Sequence, residues 1–265
     1  MSTLPNAPPL PTFLKLLAHE VRWHLLTALV VSDHRVQELV NQLQRPQNLI
    51  SYHLRLLKNE QIVRERRSSA DGRDVYYSLD VEHLHTLYLD SGQMLHPAFA
   101  LTPPVIKPGD VPPGLNEQPF RVLFLCTHNS ARSQLAEGIL RTSGGALVAA
   151  FSAGSQPGSI HPLAIRAAQT FNIDLSGQRP KHMDEFTGQT FDYVITVCDQ
   201  VREICPVFPH EPQQIHWSFP DPVALNGPEA EQIQAFLQTA RELTVRIRYL
   251  RLMMERRRQE NKVSS

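Results

Sequence analysis

Apolar residues recur at helical spacing through Phe13, Leu17, Val21, Leu25 and Leu29, with Leu14 and Ala18 beside them, and predict one amphipathic helix over 12–30. A shorter helix follows at Val36–Leu43 and is broken by Arg45-Pro46. Gln47–Lys58 reads as a third helix with Ile50, Leu54 and Leu57 turned inward. Two strand-like runs, Ile62–Arg67 and Val75–Leu79, flank the turn signal Asp71-Gly72, and a last helix starts near Val81. The second half of the chain has a different rhythm. Strands at Arg121–Leu125, Leu147–Ser152, Asp192–Val197 and near Ile215–Trp217 alternate with helices at Ser133–Thr142, Pro162–Phe171 and Glu229 to about Arg257. Buried apolar strands alternating with helices imply a doubly wound parallel sheet. The expected fold is therefore a mainly-α winged helix-turn-helix, followed by an α/β three-layer domain around a four-stranded parallel sheet.

Seven prolines between Pro97 and Pro119 separate the halves, and few residues there can pack. The expected organisation is a disordered N-terminus over 1–11, an N-terminal domain over 12–96, a Pro-rich linker over 97–119 and a C-terminal domain over 120–265. With 42% hydrophobic and 20% charged residues in 265, and a formal net charge of zero, the chain reads as globular, with no global field to attract nucleic acid. No apolar run reaches the ~18 residues that span a bilayer, and the first residues lack a secretory signal, so the expected location is cytoplasmic, with no membrane partner. In that compartment three cysteines are catalytic, free or metal-binding rather than a disulfide framework.

The first of them, Cys126, opens the run Cys126-Thr127-His128-Asn129-Ser130-Ala131-Arg132-Ser133 at the carboxyl end of a predicted strand and just before a predicted helix. Helix starts leave backbone N–H groups unpaired, which suits a tetrahedral anion. Arg132 can grip two anion oxygens in a bidentate fork. Residues 127–133 are thus an expected oxyanion-binding loop, with the positive helix end lowering the pKa of the Cys126 thiol. Ser130 and Ser133 are candidate donors to the sulfur. His128 is expected to face solvent. A buried structural cysteine is the plainer alternative, but it leaves Arg132 and the loop unexplained. Cys198 and Cys205 have six residues between them and do not match usual zinc spacing.

The stretch from Val122 to Glu137 resembles the active-site loop of the low-molecular-weight tyrosine phosphatases and the thioredoxin-coupled arsenate reductases, which share one fold. Gln134, where the phosphatases usually carry proline, favours the reductases, as does Cys198-Asp199-Gln200-Val201-Arg202-Glu203-Ile204-Cys205-Pro206. The resemblance continues through Phe151-Ser152-Ala153-Gly154 and His216-Trp217-Ser218-Phe219-Pro220-Asp221-Pro222. It implies arsenate as substrate, Cys126 as nucleophile, Arg132 as oxyanion ligand and Asp221 as general acid. It further implies a disulfide passed from Cys126–Cys198 to Cys198–Cys205 through a mobile loop segment between 198 and 210, and thioredoxin as electron donor with no tightly bound cofactor. Some relatives hold potassium near the loop. Asn129, Glu137 and Ser152 match three of its ligands, but Lys181 replaces an aspartate and its ammonium can substitute for the ion, so potassium dependence is not expected.

In the N-terminal half, the second helix of a helix-turn-helix enters the DNA major groove. Gln47, Asn48, Ser51, Tyr52, His53 and Arg55 are the candidate DNA contacts there, with Arg64, Arg66, Arg67 and Arg73 along the wing. Between 45 and 73, seven Lys/Arg (45, 55, 58, 64, 66, 67, 73) face three acids (60, 65, 71), an excess that suits phosphates. Ser51 to Leu57 and Val75 to Leu79 resemble the ArsR-type winged-helix repressors. That resemblance implies a double-stranded DNA operator and a homodimer formed through the terminal helices, with Leu84, Leu87, Tyr88 and Leu95 suited to such a face. Arg35 and Gln37 stand where arsenic-sensing members carry a cysteine pair, so that arsenite site is missing. His83, His85 and His96 are read as solvent-facing rather than as a metal site. Three readings follow: a fused arsenate reductase and DNA-binding regulator, a transcription factor whose C-terminal domain only senses arsenate or oxidation, and a tyrosine phosphatase with a regulatory domain.

Overall fold

The computed structural model describes residues 10–70, 72–95, 118–203 and 208–263, in two compact units, the first taking in 10–68 and 72–95 and the second 118–203 and 208–263 together with Ser69 and Ala70. In the first unit the helix expected over 12–30 is two helices, α1 (Thr12–Leu17) and α2 (Glu20–Leu29). The chain turns extended at His19, with φ −137° and ψ 121°. Arg22 then folds back, and its guanidinium donates to the carbonyls of Leu16 at 2.6 Å and Lys15 at 3.0 Å. Those carbonyls belong to the last turn of α1, where helical partners are missing. The two-residue strand β1 (His34–Arg35) leads into α3 (Val36–Leu43) and α4 (Gln47–Asn59). Gln44, with φ 52°, and Pro46 make the corner between them.

A hairpin of β2 (Val63–Arg67) and β3 (Val75–Leu79) follows, then α5 (Val81–Leu95). The sheet is antiparallel with order β1-β3-β2. Leu25, Leu39, Ile50, Leu57 and Ile62 are completely buried at its centre. Each such side chain stabilises the unit by about 1.5–3 kcal/mol relative to exposure. Leu84 and Leu87 of α5 pack against the same core, while Tyr88 is exposed. The side chain of Leu95 lies outside the described residues.

The second unit holds a four-stranded, wholly parallel sheet of order β5-β4-β6-β7, from β4 (Phe120–Cys126), β5 (Val148–Gly154), β6 (Tyr193–Thr196) and β7 (Gln213–His216). Val122 to Leu125 are completely buried, as expected for a central strand covered on both faces. The helices are α6 (Arg132–Gly144), α7 (Pro162–Thr170), α8 (Asp199–Glu203) and α9 (Glu229–Val263). Helices α6, α7 and α9 pack on one another, and α6 lies along β4 and β5. Phe186 and Phe191 meet the Phe151 ring of β5 at 5.8 Å each. From β4 the chain crosses to β5 on one side and later to β6 on the other, so the switch point lies at the carboxyl end of β4. Cys126 ends that strand opposite Gly154.

The short helix α8 is a correction. The segment after Cys198 was expected to be loop, yet its first five residues close a helical turn. No helix among the described residues is long and apolar enough to cross a membrane. The expected linker and N-terminus fall almost entirely outside the described residues.

Candidate active site

The loop from Cys126 to Arg132 is shaped by where its carbonyls go. Those of Thr127, His128 and Ser130 accept from the N–H groups of Gln156, Gly158 and His161 at 2.8, 2.9 and 2.9 Å. In a trans peptide the next N–H points the opposite way, so the amides of His128, Asn129 and Ala131 face the inside of the loop. One of them shows it directly: Asn129 N–H donates to Cys126 Sγ at 3.2 Å. Asn129 is left-handed, with φ 46°. Gly154 lets this turn sit against the sheet. A Cβ there would meet Thr127 O at 2.5 Å and Asn129 N at 2.8 Å, so no larger residue fits without displacing backbone.

Buried amides lock the turn. Asn129 Oδ1 accepts from Lys181 N–H at 2.8 Å and Gln134 Nε2 at 3.0 Å. Gln178 Nε2 in turn donates to Gln134 Oε1 at 2.6 Å. Asn129 Nδ2 donates to Ser133 Oγ at 2.9 Å and Ser152 Oγ at 2.8 Å. Ser152 donates to Glu137 at 2.5 Å, and Lys181 Nζ stands 3.3 Å from the same carboxylate. The four residues compared with a potassium site therefore come together, with the lysine ammonium among them.

Cys126 is buried, and Ser133 Oγ lies 2.8 Å from its sulfur. Of the two serines expected to donate, Ser133 is the one bonded there. The guanidinium of Arg132 pairs with Asp221 at 3.0 Å and donates to the Phe219 carbonyl at 3.2 Å. Asp221 also accepts from Val223 N–H at 3.1 Å, which fixes its carboxylate at the start of a short turn. Trp217 and Phe219, just before it, lie beneath the Arg246 guanidinium of α9 at 5.9 and 5.3 Å. Cys198 is buried, and Thr127 Oγ1 lies 3.4 Å from its sulfur. His128 is exposed, as expected, with its ring on the Gln156 carbonyl at 3.1 Å.

The lowered pKa expected for Cys126 is not found. Burial pushes the thiol up, the neighbouring Cys198 adds to this, and Arg132 and the Ser133 bonds oppose it without winning. The loop charge is legible in sequence, whereas the desolvation is not. In the unliganded protein the rate of Cys126 alkylation by iodoacetamide should therefore climb with pH through and beyond the ordinary thiol range. Cys198→Ser removes one raising influence and should move that profile to lower pH, whereas Arg132→Ala should move it higher. A profile already flat at neutral pH would contradict this.

The structure thus gathers Cys126, Thr127, Asn129, Ala131, Arg132, Ser133, Cys198 and Asp221. Cys205 lies outside the described residues. Gln178 and Arg246 were missed, and nothing local in the sequence marks either.

In the first unit, Gln47, Asn48, Ser51, Tyr52 and Arg55 are exposed along one side of α4. His53 is not, which corrects its place among the DNA candidates. It is 3% exposed, its ring 4.4 Å from that of His19 and its Nδ1 3.4 Å from Arg22, and burial lowers its pKa. Positions 50, 53, 54 and 57 share one helical face, so the spacing itself held this signal. On the hairpin, Arg64 pairs with Asp80, Arg66 donates to the Arg67 carbonyl at 2.8 Å, and Arg67 donates to the Gly72 carbonyl at 3.3 Å. Arg73 is exposed. Arg35 is tied to Glu38 at 3.0 Å and to Asp74. His83 meets the Glu60 carbonyl at 3.2 Å, and among the described residues no three His, Cys, Asp or Glu side chains are placed to hold a metal. His96 lies outside the described residues.

A parallel α/β sheet carries a cysteine-headed loop at its switch point, with a buried guanidinium at the loop's end. Residues 121–260 match the low molecular weight phosphotyrosine protein phosphatase family, and the chain belongs to that family. Over 127 residues it is 34% identical to the arsenate reductase of Halalkalibacterium halodurans, covering 48% of this chain and 91% of that one. It is 36% identical over 121 residues to the arsenate reductase of Bacillus subtilis, covering 46% and 86%. A solved arsenate reductase in its phosphate-binding state aligns at 28% identity with a TM-score of 0.42, over 51% of this chain and 98% of that one.

Proposed function

We propose that the chain is an arsenate reductase coupled to thioredoxin, fused to an ArsR-type DNA-binding regulator of arsenic resistance. The observation that carries the reductase reading is the second buried thiol. Cys198 sits beside the anion loop, linked through Thr127 and close enough to influence the charge on Cys126. Hydrolysis of a phosphate ester needs one thiol, whereas reduction needs a second to take over the bond. The relatives named arsenate reductase support the same reading.

Arsenate binds the inward amides and Arg132. A substrate oxygen takes the Cys126 proton, and the thiolate attacks arsenic. Asp221 protonates the departing hydroxyl, which leaves as water. Cys198, giving its proton to solvent, attacks the Cys126 sulfur. The sulfur–arsenic bond breaks, arsenic keeps the electron pair, and arsenite leaves behind a Cys126–Cys198 disulfide. Cys205 then attacks Cys198, and thioredoxin reduces the resulting Cys198–Cys205 bond by thiol exchange. Because Lys181 occupies the cluster of Asn129, Glu137 and Ser152, exchange of sodium for potassium should leave turnover unchanged.

Asp221 has two roles of opposite sign. As the acid it speeds the first step. As an anion paired with Arg132 it competes with substrate for the guanidinium. Asp221→Asn should lower kcat by about 10²–10⁴-fold while tightening inhibition by phosphate. Unchanged kcat would remove Asp221 from the mechanism.

For the first unit we propose a winged helix-turn-helix over 12–96, with a linker over 97–119, that binds double-stranded operator DNA as a homodimer. The exposed row Gln47, Asn48, Ser51, Tyr52 and Arg55 on α4 supports it, and the Arg55 guanidinium lies over the Tyr52 ring at 5.8 Å. Arg55→Ala should weaken operator binding and, if the residue meets a phosphate, reduce the slope of log affinity against log salt by about 1. Titration of a labelled operator at several salt concentrations measures both. Unaltered affinity would exclude this face.

A further inference from the structure

We propose that His216 and Ser218 form, with Asp199, a buried clamp that positions Cys198 for its attack on Cys126. This rests on the reading of Cys198 as the second nucleophile. Asp199 follows Cys198 directly, opens α8 and is 1% exposed. A buried carboxylate is costly unless donors surround it. Here Ser218 Oγ donates to Asp199 Oδ1 at 2.7 Å, and His216 Nε2 lies 3.2 Å from the same oxygen. The other ring nitrogen, Nδ1, meets Thr196 Oγ1 at 2.8 Å. A carboxylate can only accept, so Nε2 carries the proton toward Asp199, and the Thr196 hydroxyl satisfies Nδ1.

The chain geometry gives the clamp its purpose. Thr196 and His216 are paired residues at the ends of β6 and β7. Cys198 lies between Thr196 and Asp199, and both of these are tied to His216. The thiol is therefore held by the residues on either side of it, at the mouth of the sheet where Thr127 meets its sulfur. His216 and Ser218 alternate with Trp217 and Phe219, which turn instead toward Arg246. The segment leading to Asp221 thus carries the clamp on one side and its own anchor on the other.

A test independent of arsenate isolates the Cys198 step. In full-length Cys205→Ser protein, hydrogen peroxide oxidises the Cys126 thiol to a sulfenic acid and is itself reduced to water. Cys198 then attacks the Cys126 sulfur, the disulfide forms and water leaves. A 1,3-diketone that traps the sulfenic acid competes with this closure. The ratio of disulfide to trapped adduct, read by mass spectrometry, reports the Cys198 attack whatever the oxidation rate. His216→Leu should lower this ratio by about 10- to 100-fold, as expected for a displaced reaction partner. The loss should exceed any loss of aryl-phosphate hydrolysis, which needs no Cys198. His216→Gln, whose amide can again donate to Asp199, should restore most of the ratio. Ser218→Ala, a smaller change, should give an intermediate value and serves if His216→Leu does not fold.

The clamp is overturned if closure is unchanged in both His216→Leu and Ser218→Ala, if His216→Gln is as impaired as His216→Leu, or if hydrolysis falls as far as closure. Wild-type closure with unaffected variants sinks the clamp alone. A parent protein that yields only trapped adduct removes Cys198 as second nucleophile, and the reductase reading with it.

Discussion

Arg132→Lys is expected to lower kcat/KM for arsenate by about 10²–10³-fold, the range seen when a donor to a developing oxyanion is removed. The substitution keeps the positive charge and loses the fork. In the structure two nitrogens of the guanidinium act in different directions, one toward Asp221 and one toward the Phe219 carbonyl. A lysine ammonium is a single point and cannot hold the acid loop while also gripping two oxygens of a bound anion. The same site charge opposes the burial that raises the Cys126 thiol, and lysine keeps part of that influence. The defect should therefore lie mainly in anion placement and the transition state. Steady-state kinetics with phosphate as competitive inhibitor separates the two contributions. Activity within threefold of the wild type would mean that the loop amides alone hold the anion.

Cys198→Ser should abolish arsenate reduction while leaving aryl-phosphate hydrolysis within a few-fold of the parent, because the proposed mechanism assigns hydrolysis to Cys126, Arg132 and Asp221 alone. Serine preserves the size of the side chain and can still meet the Thr127 hydroxyl. It cannot form a disulfide, so a Cys126–arsenic adduct has no exit by reduction. The contrast between the two activities is the point of the experiment. Loss of both would make Cys198 a structural residue of the loop, and loss of neither would favour a plain phosphatase.

The chain itself announces much of this arrangement. Val36–Leu43 and Val75–Leu79 are found where their patterns put them, because each is bounded by strong local signals. The strand, Cys126 loop and helix of the second unit are legible for the same reason: an apolar run, a polar run with no β-branched residue beyond Thr127, and a helical period follow one another. What is not legible depends on distant groups. The periodicity of Phe13, Leu17, Val21, Leu25 and Leu29 runs straight through the break at His19, because Arg22 closes the first helix by a side-chain bond that no apolar spacing records. The two residues of β1 are too few to show a period. The raised Cys126 thiol follows from burial under a folded sheet, and the loop charges alone point the other way. Gln178 and Arg246 come from segments far along the chain and carry no motif of their own. His53 is different: its inward direction is written in the spacing of α4, where the face defined by Ile50, Leu54 and Leu57 includes it.

Reduction of arsenate by three cysteines is measured most directly as arsenate-dependent oxidation of NADPH with the full-length chain, thioredoxin and thioredoxin reductase. One NADPH should be consumed per arsenite formed, and consumption should cease in Cys126→Ser, Cys198→Ser and Cys205→Ser alike. Steady NADPH use by any of these three variants, or none by the wild type while it continues to hydrolyse an aryl phosphate, would contradict a three-cysteine reduction of arsenate.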